Sequence, residues 1–177
     1  MTELLVLAIL LNGEFTIYKI KQQIENNFSV FLSASFGSIH PAMKKLEKNG
    51  FISAKRKMSA GGQKSSTYSI TNEGKEHFEN LMISEITESP TYSNQLINIK
   101  MMLLGLLDEN LRKHTINLIK KYYEIHLLTA GELLETLKNK PVKEKEQNFF
   151  QITHLKNYTD NISRELNRIQ GLNLKNI

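Results

Sequence analysis

The sequence predicts a mainly α-helical protein with one small β-hairpin: a winged helix-turn-helix domain over residues 1–88, then an all-helical dimerisation domain over residues 89–177. Three observations predict it. The stretch Ser35 to Lys75 reads as helix, turn, two strands around a glycine-bearing loop, and a new helix start. From Lys44 to Lys64 there are seven cations (Lys44, Lys45, Lys48, Lys55, Arg56, Lys57, Lys64) against one anion, Glu47, a net +6 where the whole chain carries +5. Beyond Ser89-Pro90, strand-like alternation is absent and helical periodicity remains.

The first helix runs from Thr2 to about Leu11, apolar from Leu4 on, and stops at Asn12-Gly13. No basic region precedes it, no small-residue cleavage site follows, and Lys19 and Lys21 come too soon for a membrane span, so it reads as a core helix. Thr16 caps the second helix, whose inner face is Ile17, Ile20, Ile24 and Phe28. Ser35 caps the third, in which Ile39, Met43, Leu46 and Phe51 recur at helical spacing. Pro41 lies near its start, where a missing amide donor is tolerated, and Asn49-Gly50 supplies the left-handed residue that ends it. Phe51–Met58 and Lys64–Ile70 then flank Ser59-Ala60-Gly61-Gly62-Gln63 as two strands of a hairpin, the wing. Thr71 caps a fourth helix through Phe78, Leu81 and Met82, with Glu73 in the first turn, where negative charge is favoured.

This order assigns contacts. In a winged helix the second helix abuts the DNA backbone and the third enters the major groove. Ser35, Ser38 and His40 then face base edges, with Lys44 and Lys45 further along, and the wing brings Lys55, Arg56, Lys57 and Lys64 to phosphate. Cations on phosphates release condensed counterions, so affinity should fall steeply with salt. A charge run of this size is also what a solvated face looks like, and His40 reads equally well as a merely exposed residue.

The second half carries three helical patterns: Leu96 to about Leu107, Asn110 to about Lys138, and Phe149 to about Gln170. In the middle one Ile116, Ile119, Tyr123, Leu127, Ala130, Leu134 and Leu137 form an apolar stripe; in the last, Ile152, Leu155, Tyr158, Ile162, Leu166 and Ile169 do the same. The charged stretch Lys138–Glu146, with Pro141, lets the long helices turn back on each other. So small a unit does not easily bury every apolar face, and a second copy would cover the remainder. A homodimer through Ile116, Ile119, Tyr123, Leu127, Leu134, Ile162 and Leu166 is expected, the other arrangement being a bundle within one chain.

Other classes find little support. The chain has no cysteine, which removes disulfides and thiolate chemistry and is compatible with a cytoplasmic location. His40, His77, His114, His126 and His154 show no ligand spacing, so no metal and no cofactor are expected. No phosphate loop, nucleophile motif or paired acid-base constellation assigns a reaction, so an enzyme is not expected. Tyr92, Tyr122, Tyr123, Phe149, Phe150 and Tyr158 read as core or as lining of a ligand pocket. A winged helix can also serve as a protein-interaction scaffold, but such a wing would expose apolar side chains where this one has Lys55, Arg56, Lys57 and Lys64.

The segments Leu4–Leu10, Thr16–Ile20, Phe36–Ile52 and Tyr68–Gly74 together resemble the PadR family of bacterial transcriptional regulators, and the helical remainder resembles the dimerisation domain of its longer, AphA-like members. The resemblance implies a homodimeric, sequence-specific binder of double-stranded operator DNA, in most members a repressor, with a small-molecule effector among its partners. Tyr18 matches the family tyrosine near the DNA backbone, and Ser38, Lys44 and Lys45 match polar positions of the recognition helix. Ile17 stands where the family usually has glycine, and His40 where it has tyrosine.

Overall fold

The computed structural model of the chain describes residues 1–32, 35–58, 64–87 and 89–172, the side chains of Lys57, Met58 and Lys64 excepted. The loop predicted at Ser59–Gln63 lies outside the described residues. The elements are α1 (Thr2–Leu10), β1 (Phe15–Thr16), α2 (Ile17–Phe28), α3 (Phe36–Lys48), β2 (Ile52–Met58), β3 (Lys64–Ile70), α4 (Asn72–Met82), α5 (Pro90–Leu103), a 3-10 turn (Leu104–Leu106), α6 (Glu109–Lys138), α7 (Val142–Gln147) and α8 (Phe149–Gln170). They form two compact units, Met1–Thr115 and Ile116–Ile177. That division follows packing, and it falls inside α6; the boundary at residues 88 and 89 followed the change in sequence character.

In the first unit α1 is buried from Leu4 to Leu10. Ile20, Ile24 and Phe28 of α2 and Ile39, Ala42, Met43 and Leu46 of α3 are buried with it. Each of the larger side chains removed from water contributes about 1.5–3 kcal/mol. The predicted caps form. Thr16 Oγ1 accepts from the Lys19 N–H at 3.3 Å, Ser35 Oγ from the Ser38 N–H at 3.3 Å, and Thr71 Oγ1 from the Gly74 N–H at 3.0 Å. Pro41 lies deeper than expected, at the sixth residue of α3, and its missing N–H removes the bond that would end on the Gly37 carbonyl.

The sheet has three antiparallel strands in the order β1-β3-β2. Beside the predicted hairpin, Phe15 and Thr16 pair with Tyr68 and Thr67. The hairpin register runs from Ile52↔Ile70 through Lys55↔Thr67 to Met58↔Lys64.

α3, β2 and α4 meet at one backbone turn. Gly50, at φ +76°, ends α3 in the left-handed region. The Thr71 N–H then donates to the Phe51 carbonyl (3.1 Å) while the Thr71 hydroxyl donates to the Gly50 carbonyl (2.7 Å). α4 approaches so closely that a Cβ built on Gly74 would stand 1.9 Å from the Phe51 carbonyl oxygen.

α5 begins at Pro90, earlier than the apolar pattern suggested, and buries Leu96, Ile97, Ile99 and Leu103. It also buries Lys100, whose ammonium donates to the Ser84 carbonyl at 2.7 Å. Burial lowers the Lys100 pKa from 10.5 to about 8. Asp108 caps α6 by accepting from the Leu111 N–H at 2.9 Å, and Arg112 donates to the Leu104 and Leu107 carbonyls at 3.1 and 2.9 Å.

In the second unit α6 and α8 run antiparallel. Tyr123 of α6 lies beside Glu165 and Arg168 of α8, while Thr159 lies beside Leu127 to Glu135. Between them the charged connection holds a helix that its sequence did not announce, α7, which buries no residue.

Two outcomes test this account. Gly74→Ala is expected to cost about 2–3 kcal/mol, because the obstacle is backbone. Gly131→Ala in α6, where a Cβ meets nothing within 4 Å, should instead stabilise by about 0.5–1 kcal/mol; thermal melts followed by circular dichroism compare the two. Lys100→Met should raise the melting midpoint at pH 7. The folded chain sheds this proton near pH 8 and the unfolded chain near 10.5, so the burial cost is fully present below pH 8 and the gain should fade as pH rises through that window.

Candidate nucleic-acid interface

At about 100° per residue, the buried positions Ile39, Ala42, Met43 and Leu46 define one face of α3, and His40, Lys44 and Lys48 repeat every fourth residue along the opposite, exposed face. Lys48 belongs to this stripe although it was absent from the predicted contact set; the i, i+4 spacing from Lys44 is its signal in the sequence. Among the described residues neither Lys44 nor Lys48 has a carboxylate within ion-pair distance.

Ser35 and Ser38 stand at the start of α3, both exposed, and their hydroxyls are engaged with each other and with the backbone. Ser38 Oγ donates to the Ser35 carbonyl at 3.0 Å and lies 3.4 Å from Ser35 Oγ. With its proton so used, Ser38 retains lone pairs that can accept from a base amino group. Tyr18, the second residue of α2, is 66% exposed.

Three of the other cations are already partnered. Lys45 pairs with Glu3 of α1 at 2.7 Å, Lys55 with Glu14 at 2.7 Å, and Arg56 with Glu47 of α3 at 3.3 Å. Strand alternation explains the last two. Ile52, Ala54 and Arg56 share the sheet face whose Ile52 end is buried, so Arg56 reaches back to α3, whereas Ser53 and Lys55 share the other face. The backbones of Lys57 and Lys64 pair within the hairpin; their side chains lie outside the described set. These exposed pairs contribute only about 0–1 kcal/mol each and can yield to phosphate, but they lower the local positive charge that a polyanion meets.

The predicted self-association residues are distributed differently. Ile116, Ile119, Leu134, Ile162 and Leu166 are buried within a single copy of the chain, and Tyr123 and Leu127 are half-buried. Burial, and then Glu165 beside it, raises the Tyr123 phenol above its ordinary pKa. The apolar side chains left in water in this unit include Ile125, Leu128 (65% exposed), Leu133, Phe149 and Phe150 (83%). Phe149 and Phe150, read from sequence as core or pocket lining, pack edge to face on each other at 5.4 Å and face solvent. A shallow apolar groove runs past Leu127, Leu128, Gly131 and Leu134 to Thr159. Among the described residues no cluster of three His, Asp or Glu could hold a metal ion, and no helix is long and apolar enough to cross a membrane.

A three-helix core, a hairpin wing and a basic exposed face on the third helix define a winged-helix protein. Residues 6–80 match the Transcriptional regulator PadR-like family, so the chain carries a PadR-like domain, and the family is one of transcriptional regulators rather than enzymes. Solved structures similar to the chain include Bacillus subtilis PadR in complex with operator DNA, at 18% identity over 96% of this chain and 94% of that one, TM-score 0.45. The PadR-like transcriptional regulator BC1756 from Bacillus cereus is 22% identical over 96% and 98%, TM-score 0.41. A PadR family transcription regulator from Clostridium difficile is 27% identical over 44% and 79%, TM-score 0.37. Among curated proteins none is a significant match to this sequence.

The pairing pattern ranks the cations. Replacing Lys44 and Lys48 together by Ala should lower the magnitude of the log-affinity against log-salt slope for duplex DNA by about two for each bound copy of the chain. Lys45→Ala, which also frees Glu3, should change it by clearly less than the roughly one unit expected for Lys44→Ala. Equal effects of Lys44→Ala and Lys45→Ala in an anisotropy titration would refute the ranking.

Proposed function

We propose that the chain is a homodimeric, sequence-specific DNA-binding repressor of transcription, with residues 1–88 as the DNA-binding part and residues 89–177 as the dimerisation part. The observation that carries the reading is the stripe of His40, Lys44 and Lys48 on the exposed face of α3, in which neither lysine has a carboxylate partner among the described residues. A helix with one apolar and one cationic face fits the major groove of B-DNA. Ser35 and Ser38 support it as acceptors at the groove-entering end, Tyr18 as a backbone contact, and Lys45, Lys55, Arg56, Lys57 and Lys64 as phosphate contacts that exchange or add charge on binding. A cytoplasmic location, beside the chromosome, follows from this role.

Dimerisation is supported by the exposed apolar set of the second unit. A small-molecule effector is supported by a cavity of about 220 Å³ in the first unit, lined by Ala8, Ile9, Phe28, Met102, Leu103 and Leu106 together with the amides of Asn12 and Asn27. Apolar walls with a few hydrogen-bonding groups suit a compact, partly polar ligand.

The DNA reading is tested by fluorescence anisotropy of the purified chain on the DNA upstream of its own gene and on a scrambled duplex across a salt series. Selective binding with a steep salt slope is expected; no binding to either duplex at low salt would overturn it and favour a protein-binding wing. For assembly, sedimentation equilibrium should give two copies for the wild type and one for the double variant Leu128→Glu, Phe150→Glu at unchanged helicity. A dimer that survives these exposed substitutions would place the interface elsewhere.

A further inference from the structure

Phe36 is the first residue of α3, and the residue is 39% exposed at the end of the helix that carries His40, Lys44 and Lys48. Its neighbours on the exposed part of that helix are Gly37, Ser38 and His40, so an apolar ring is chemically foreign to the surface it occupies. The ring is also held in place. The His40 imidazole lies 5.7 Å away, tilted by 36°, and the Lys21 ammonium of α2 lies 5.3 Å from the ring centroid. Lys21 is in turn paired with Glu25. A cation at the ring and an imidazole against it fix the orientation of a side chain that would otherwise rotate in water.

The first turn of a recognition helix is the part that meets base edges. The major groove offers one hydrocarbon feature among its donors and acceptors, the 5-methyl group of thymine, and apolar side chains including Phe are the groups that contact it. Phosphate and the remaining base edges want charge or hydrogen bonds, which Phe36 cannot supply. We infer that Phe36 is a base-reading residue that packs its exposed ring on a thymine methyl, next to the base whose edge His40 bonds. This rests on the DNA-binding reading above and adds to it a base identity and a residue that sets it.

The methyl can be removed without touching anything else, because deoxyuridine pairs like thymidine and carries the same charge. The test takes the duplex that the wild-type chain enriches from a random pool, replaces its thymidines one at a time by deoxyuridine, and measures affinity for wild type, Phe36→Ala and Phe36→Gln. In the wild type at least one position per half-site should weaken about four-fold, the worth of one buried methyl group. In both variants that position should become insensitive, while sensitivity elsewhere is retained. Phe36→Gln keeps the length of the side chain on an exposed site, so it reports even where the alanine variant loses helicity. A deoxyuridine profile identical in wild type and variants would overturn the inference with DNA binding intact, as would a wild type indifferent to every methyl. Failure of the wild type to enrich any duplex would overturn the DNA reading itself, and this inference with it.

Discussion

The winged-helix half of the molecule depends on a single carbonyl, that of Phe51. It receives the Thr71 N–H, and it sits where the Cβ of any residue but glycine at position 74 would collide with it. Three elements end or begin at this point: α3 stops at the left-handed Gly50, β2 starts at Ile52, and α4 starts after Thr71. Thr71 serves both sides at once, donating its hydroxyl proton to Gly50 and accepting from the Gly74 N–H. The angle between the helix that would enter a groove and the wing that would flank it is therefore set by backbone hydrogen bonds and a missing side chain. Such a joint is stiff, because bonding and close packing constrain the same atoms.

On that frame the charges are sorted rather than spread. Sequence gives a block of cations; the fold gives two kinds. Among the described residues Lys44 and Lys48 have no carboxylate partner on the outer stripe of α3, whereas Lys45, Lys55 and Arg56 each have a carboxylate from another part of the domain. A paired cation must exchange its partner to reach phosphate and so gains less from binding than an unpaired one. Sorting of this kind lowers the charge offered to any polyanion in general while leaving the outer stripe of α3 at full strength, which favours discrimination over bulk affinity.

Local chemistry was legible in the sequence and non-local chemistry was not. Thr16, Ser35 and Thr71 could be read as caps because a cap is decided within three residues. β1 could not be read, since a two-residue strand exists only through its pairing with Thr67 and Tyr68, far along the chain. The ion pairs of Glu3 and Glu14 span about forty residues and were hidden for the same reason. Lys48 was readable from its spacing and was passed over. The stripe from Ile116 to Leu137 was rightly identified as a face that seeks cover, but periodicity says which side of a helix is buried and never what buries it. Much of the cover lies within the same chain, and the apolar surface left in water is a different set led by Leu128 and Phe150.

The absence of any buried residue in α7 gives the molecule a handle. The whole chain lacks cysteine, so a thiol introduced at Lys143, on the exposed surface of α7, would be the sole site for maleimide chemistry. A dye there would disturb no packed core. In a two-copy assembly, donor and acceptor dyes on paired chains would report the separation of the two α7 segments by energy transfer, and hence any rearrangement on ligand or DNA binding.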